Sequence, residues 1–175
     1  MAARRTDGAV RIREVDRIVA AWQRERPDID VSPLLVLSRV SRLGEVLADR
    51  RKKIFAAHVL RPYEFDVLAA LRRAGDPYEM TPGQLLTETH VTSGTMTNRL
   101  DVLVERQLVS RRPDPQDRRV TRVQLTSAGR TRVDSALTDL LEVEAQLLAG
   151  LSADDRNILA ISLQHMLDCT AGHHR

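Results

Sequence analysis

The stretch from residue 81 to residue 125 constrains the fold most. Two short amphipathic segments flank the connection Thr89-His90-Val91-Thr92, and a β-forming run bent about a proline-containing tip follows them. Thr81-Pro82-Gly83-Gln84 has the pattern of a capping box with proline at the first helical position, so a helix begins there and ends near Glu88. A second helix is expected over residues 93–106. Residues 108–112, the tip Pro113-Asp114-Pro115-Gln116-Asp117 and the β-rich run 119–125 then read as strand, tip and strand. Two helices on a tight turn with a hairpin behind them make a winged helix-turn-helix.

The flanks are helical. Residues 10–26 carry an apolar stripe of Val15, Ile18, Val19 and Trp22, which Pro27 ends. Ser32-Pro33 is an N-cap followed by proline, opening a long helix to about Ala57 with Val36, Val40, Leu43 and Leu47 at helical spacing. Arg61-Pro62 opens another helix, to about Arg73, before Gly75-Asp76-Pro77. Thr126 caps a long helix bearing Val133, Leu137, Leu140 and Leu141, and Ser152-Ala153-Asp154-Asp155 caps a last one bearing Ile158, Ile161 and Leu167. The expected fold is mainly α with a small β-hairpin wing. Its expected division is residues 1–60 as N-terminal helices, 61–126 as the winged helix-turn-helix domain, and 127–175 as C-terminal dimerisation helices. The apolar stripes of the terminal helices need a second surface to cover them, which predicts a homodimer.

Function is narrowed by what the helix faces and charges present. In the helix over 93–106, Met96, Leu100 and Leu103 share one side, while Gly94, Asn98, Asp101 and Glu105 lie opposite with Thr97 beside them. Short polar side chains near a helix N-terminus suit entry into a major groove, where Asn and Thr reach base edges. An ordinary amphipathic surface helix has the same periodicity. Charge tips the balance: residues 106–132 hold arginines at 106, 111, 112, 118, 119, 122, 130 and 132 against two aspartates, in a chain whose net charge is only +3. Arginines at a hairpin tip can enter a minor groove. The candidate DNA-binding residues are Ser93, Thr95, Thr97, Asn98, Arg118 and Arg119, and the expected partner is double-stranded DNA.

The residues Ser93-Gly94-Thr95-Met96-Thr97-Asn98-Arg99-Leu100, Leu108-Val109, Asp117-Arg118-Arg119 and Val123-Gln124-Leu125-Thr126-Ser127-Ala128-Gly129 resemble the MarR family of transcriptional regulators. The resemblance runs from about Ser32 to Leu167. It implies a homodimer built from the terminal helices, with two winged heads on a pseudo-palindromic operator. A rarer set narrows it further. Asp66 and Arg73 lie two turns apart on one helix face, with Ala69 and Ala70 leaving space beside them, and Arg99 sits at the edge of the buried face of its own helix, in reach of Asp66. With Trp22, the lone tryptophan, and the N-terminal extension that carries it, these residues resemble the urate-responsive branch of the family. That resemblance implies a ligand site of Trp22, Asp66, Arg73 and Arg99 for urate or a related planar anion, coupled through Asp66 and Arg99 to a repressor's DNA-reading helix. The bland alternatives are Trp22 as core packing and Asp66 and Arg73 as solvated charges.

Other classes are disfavoured. There is one cysteine in 175 residues, so no disulfide framework exists within a chain, and Cys169 reads as a buried structural thiol; redox regulation through it is the alternative function. His58, His90 and His165 lack ligand spacing, and His173-His174 reads as a tail, so neither a metal nor a cofactor is expected. No phosphate loop, nucleophile elbow or metalloprotease helix occurs, which argues against an enzyme. A non-DNA-binding dimeric carrier of small molecules is the third possibility. No apolar run reaches membrane-spanning length and residues 1–11 lack a signal-peptide core, giving a cytoplasmic expectation without a membrane partner.

Overall fold

The computed structural model describes residues 5–117 and 119–171; Arg118, His173 and His174 lie outside them. The elements run α1 (Arg5–Glu25), α2 (Pro33–Ala57), α3 (Pro62–Arg73), β1 (Glu79–Met80), α4 (Pro82–Thr89), α5 (Ser93–Glu105), β2 (Val109–Pro113), β3 (Thr121–Leu125), α6 (Ser127–Leu148) and α7 (Ala153–Ala171). Packing divides the chain into two compact units, Met1–Lys53 and Ile54–Arg175. Among the described residues, no helix is long and apolar enough to cross a membrane.

Helix starts follow the capping chemistry in the sequence. Thr81 Oγ1 accepts from the Gln84 amide at 3.2 Å while Gln84 Oε1 accepts from the Thr81 amide at 2.8 Å, satisfying two donors that the first turn leaves open. Ser152 and Asp155 exchange equivalent bonds at the start of α7. The Thr126 hydroxyl accepts from the Gly129 amide at 3.0 Å. At Ser32 the arrangement differs: its hydroxyl donates to Asp30 at 2.9 Å, and its carbonyl accepts from the Leu35 amide at 3.0 Å.

In the first unit, Val15 and Val19 of α1 close on Val31, with Leu34 against them. Ion pairs from Arg39 to Asp16 at 2.5 Å and from Arg42 to Glu14 at 2.7 Å join α1 to α2.

The second unit is built around α3. Phe65, Val67, Leu68, Ala70 and Leu71 are buried there among Leu85 of α4, Met96, Leu100 and Leu103 of α5, Val123 and Leu125 of β3, and Val133 and Ala136 of α6. Full burial of each large aliphatic side chain contributes about 1.5–3 kcal/mol. The rings of Phe55 and Phe65 stack with centroids 4.2 Å apart. Tyr78 is flanked by two guanidiniums, Arg72 at 5.0 Å and Arg130 at 4.9 Å, and Arg72 also bonds Asp134 at 2.8 Å, so α3 and α6 are tied by charge as well as by apolar contact.

The sheet has order β1-β3-β2, all antiparallel, with Val109 opposite Leu125 and Pro113 opposite Thr121. The short strand β1 is an addition to the expected hairpin: Glu79 and Met80 become a strand by pairing with Gln124 and Val123, a non-local partner that two residues cannot announce.

Two expectations need correcting: that Ala69 and Ala70 leave space on α3, and that Cys169 is buried. Ala70 is fully buried, so it fills the core, while Ala69 is half-buried. Cys169 is exposed, as is almost all of α7. The apolar residues of α6 divide between two faces: Val133 and Leu140 are buried, whereas Leu137 and Leu141 are exposed.

Candidate nucleic-acid interface

Helix α5 is held from behind. Met96, Leu100 and Leu103 are each 1% exposed or less, which fixes the rotation of the helix and turns Ser93, Thr95, Thr97 and Asn98 outward, all exposed. The Thr97 hydroxyl donates to the Ser93 carbonyl at 3.2 Å, and the Thr92 and Thr95 hydroxyls bond at 3.0 Å. Thr95 and Asn98, three residues apart, are thus neighbours on an open polar face. An Asn amide there can give and take hydrogen bonds with the major-groove edge of adenine.

The wing is locked to this helix by a contact that sequence reasoning missed. Arg111 of β2 donates to Asp101 at 2.6 Å and to the Thr97 carbonyl at 3.5 Å. The tip is folded about Asp114, which accepts from the amides of Gln116 at 2.8 Å and Asp117 at 3.2 Å and from Arg122 at 2.5 Å. Glu79 of β1 takes Arg112 and approaches Arg122 at 3.9 Å. Charge is therefore less available than the arginine count implies. Arg106 pairs with Glu64, Arg111 with Asp101, Arg112 with Glu79, Arg122 with Asp114, and Arg130 lies 3.9 Å from Asp134. Arg119 at the tip is exposed, its amide held by Asp117 at 2.9 Å, and among the described residues its guanidinium has no ion pair. Arg118 lies outside the described residues.

The Gln116 amide and then the Arg122 guanidinium hold the Asp114 carboxyl below the usual carboxylate range. A folded-state value lowered in this way adds stability that is complete above the ordinary carboxylate value and is lost as pH falls through the lowered one. The exchange protection of the Gln116 and Asp117 amides should accordingly stay constant from neutrality to about pH 4 and decline below it. Asp114→Asn should lose that protection already at neutral pH. Opening of these amides near pH 6 would show that another group governs the tip.

The candidate ligand residues occupy both units. Trp22 of α1 is 49% exposed, so its indole is not packed away as core. Asp66 and Arg73 are both exposed on α3, and Arg73 meets Glu88 of α4 at 3.4 Å. Arg99 is half-buried, with its guanidinium 5.0 Å above the ring of Tyr63. Tyr63 was missed from the sequence; the available signal was an aromatic one turn before Asp66 in a chain with two tyrosines and two phenylalanines.

A recognition helix fixed from behind, an outward polar face at its N-terminal end and a hairpin latched beside it define a winged helix-turn-helix DNA-binding regulator. Residues 59–120 match the model of the MarR family. The HTH-type transcriptional regulator PecS of Dickeya dadantii (strain 3937) is 36% identical over 146 residues, which cover 83% of this chain and 88% of PecS. Wild-type MarR of E. coli in its apo form shares 26% identity with a TM-score of 0.61, over 75% of this chain and 96% of that one. A mutant of S. aureus MepR bound to an oligodeoxyribonucleotide has the same fold, with a TM-score of 0.55 at 21% identity, over 76% of this chain and 96% of MepR. The chain belongs to the MarR family of transcriptional regulators.

Proposed function

We propose that this protein is a homodimeric, cytoplasmic repressor that leaves its operator when a planar anion such as urate binds. The observation that carries the coupling is Arg99 over Tyr63: a side chain of the reading helix rests on the ring of an α3 residue, one turn before Asp66. An anion held by Arg73 acts on the helix against which Arg99 leans, and the resemblance to the urate-responsive branch assigns the Trp22 indole to the same ligand. Its negative charge would disfavour the present arrangement of the Asp66 carboxylate. Release then needs only that the ligand prefer the state in which α5 is displaced.

In this reading Asn98 and Thr95 contact bases, Ser93 and Thr97 support them, and Arg118 and Arg119 contact the sugar-phosphate backbone or minor groove. The dimer is supported by apolar side chains left exposed on three helices, among them Val36 and Leu43 of α2, Leu141 of α6, and Ile158 and Leu167 of α7. Residues 1–60 and 127–175 supply that interface, and residues 61–126 read DNA. Two heads then address half-sites about 10 base pairs apart.

The test is calorimetric titration with urate alongside promoter-DNA binding. Trp22→Ala and Arg73→Ala should each weaken urate binding about tenfold or more and leave DNA affinity without ligand within about twofold. Arg99→Ala should impair both. Wild-type urate affinity in Trp22→Ala and Arg73→Ala would remove these residues from the site. The exposure of Cys169 favours a second reading, an oxidant-responsive regulator. Under it Cys169→Ser would abolish a peroxide effect on DNA binding; under the ligand reading the variant behaves as wild type.

A further inference from the structure

A cavity of about 350 Å³ lies where the α2–α3 connection meets the C-terminal end of α5. Val59, Leu60 and Val102 give it apolar walls, and Arg61, Glu64 and Arg106 give it charge. Three features mark it out from an ordinary surface hollow. Glu64 is 1% exposed, and its two carboxylate oxygens are treated differently. Oε2 accepts from the Arg61 amide at 2.7 Å and from Arg106 at 2.5 Å, while Oε1 is buried without a hydrogen-bond partner. Buried acceptors are almost always satisfied, so an unpartnered oxygen on a residue that lines a cavity calls for a donor. Val59 is the second feature: a β-branched residue at φ 53°, in the left-handed region such side chains avoid. The residue is 66% exposed, and its carbonyl is clamped by Arg106 at 2.5 Å. Third, the site carries two guanidiniums against one carboxylate, a net positive balance that disfavours a cationic donor.

We propose that this cavity binds the carboxamide or lactam edge of a small neutral molecule. Its N–H donates to Glu64 Oε1, its carbonyl accepts from the Arg61 guanidinium, and its apolar body lies on Val59, Leu60 and Val102. An amide edge presents a donor beside an acceptor, which matches a carboxylate beside a guanidinium, whereas an anion has no donor to give Oε1 and sets like charge against it. Binding here does not depend on the planar-anion response, since no residue is shared with it.

Benzamide and benzoate are the probes, being alike in shape and different in donor and charge. In calorimetric titrations of the full-length protein, benzamide should bind about tenfold or more tightly than benzoate. Glu64→Gln should invert that preference, because its amide oxygen must keep accepting from Arg61 and Arg106, which turns its NH2 toward the ligand. Should Glu64→Gln fail to fold, Val102→Phe decides: the larger ring occupies the cavity, so benzamide affinity should fall about tenfold while thermal unfolding stays cooperative. Equal or tighter binding of benzoate by the wild type, no binding of benzamide, or wild-type affinity in Val102→Phe would each overturn the assignment.

Discussion

Gly129→Ala is expected to lower folding stability by about 3 kcal/mol or more, at the upper end of overpacking effects. A Cβ at this position would stand 2.1 Å from the Leu108 carbonyl oxygen and 2.9 Å from Leu125 Cδ1. The carbonyl cannot yield, since it accepts from the Thr126 amide at 3.1 Å and from the Thr126 hydroxyl at 3.0 Å. The same hydroxyl caps α6 through the Gly129 amide. One added methyl group therefore strikes the joint where the hairpin enters α6. Glycine is needed here for close approach and not for its dihedral freedom, since it lies in the first turn of a regular helix. Denaturant unfolding of the variant should show a lowered midpoint with an unchanged slope. A loss below about 1 kcal/mol would mean that the hairpin is not anchored as described.

The second large effect concerns DNA. Asn98→Ala should cost roughly 1–3 kcal/mol of affinity for promoter DNA and relax the base preference at one position in each half-site. Arg119→Ala should weaken binding to all sequences alike and reduce the salt dependence by about one counterion per wing. The contrast follows from placement. Asn98 is on the outward face of a helix whose rotation is fixed by Met96, Leu100 and Leu103, so the proposed contact is with the same base each time. Arg119 is at an exposed tip and meets charge. Arg111→Ala should lie between the two, because it removes the latch to Asp101 and leaves both readers in place. If Asn98→Ala and Arg119→Ala both bind every sequence as the wild type does, the winged head is not the reading surface.

Much of this was legible in the sequence, for physical reasons that also set the limit. The faces of α5 follow from its own 3.6-residue period, and the starts of α4, α6 and α7 from side chains that bond amides three residues away. These are local facts, and a single segment contains them. The strand β1, the Arg111–Asp101 latch, the Glu64–Arg106 pair and the seat of Arg99 on Tyr63 each join residues distant along the chain, so no spacing reveals them. The wing shows the cost of counting charges in sequence. Eight arginines between residues 106 and 132 suggest a broad basic surface, yet carboxylates from α3, α5, β1 and the tip itself take half of them. Arginine there serves the shape of the wing as much as its affinity for DNA.

Coupling between ligand and DNA is the central claim, and thermodynamic reciprocity tests it most directly. Promoter-DNA affinity should be measured by fluorescence anisotropy at rising urate, and urate affinity by calorimetry with and without saturating DNA. A shared equilibrium involving α5 requires that urate lower DNA affinity by about 5–150-fold and that DNA lower urate affinity by the same factor. Urate that binds without changing DNA affinity, or DNA that leaves urate affinity untouched, would contradict it.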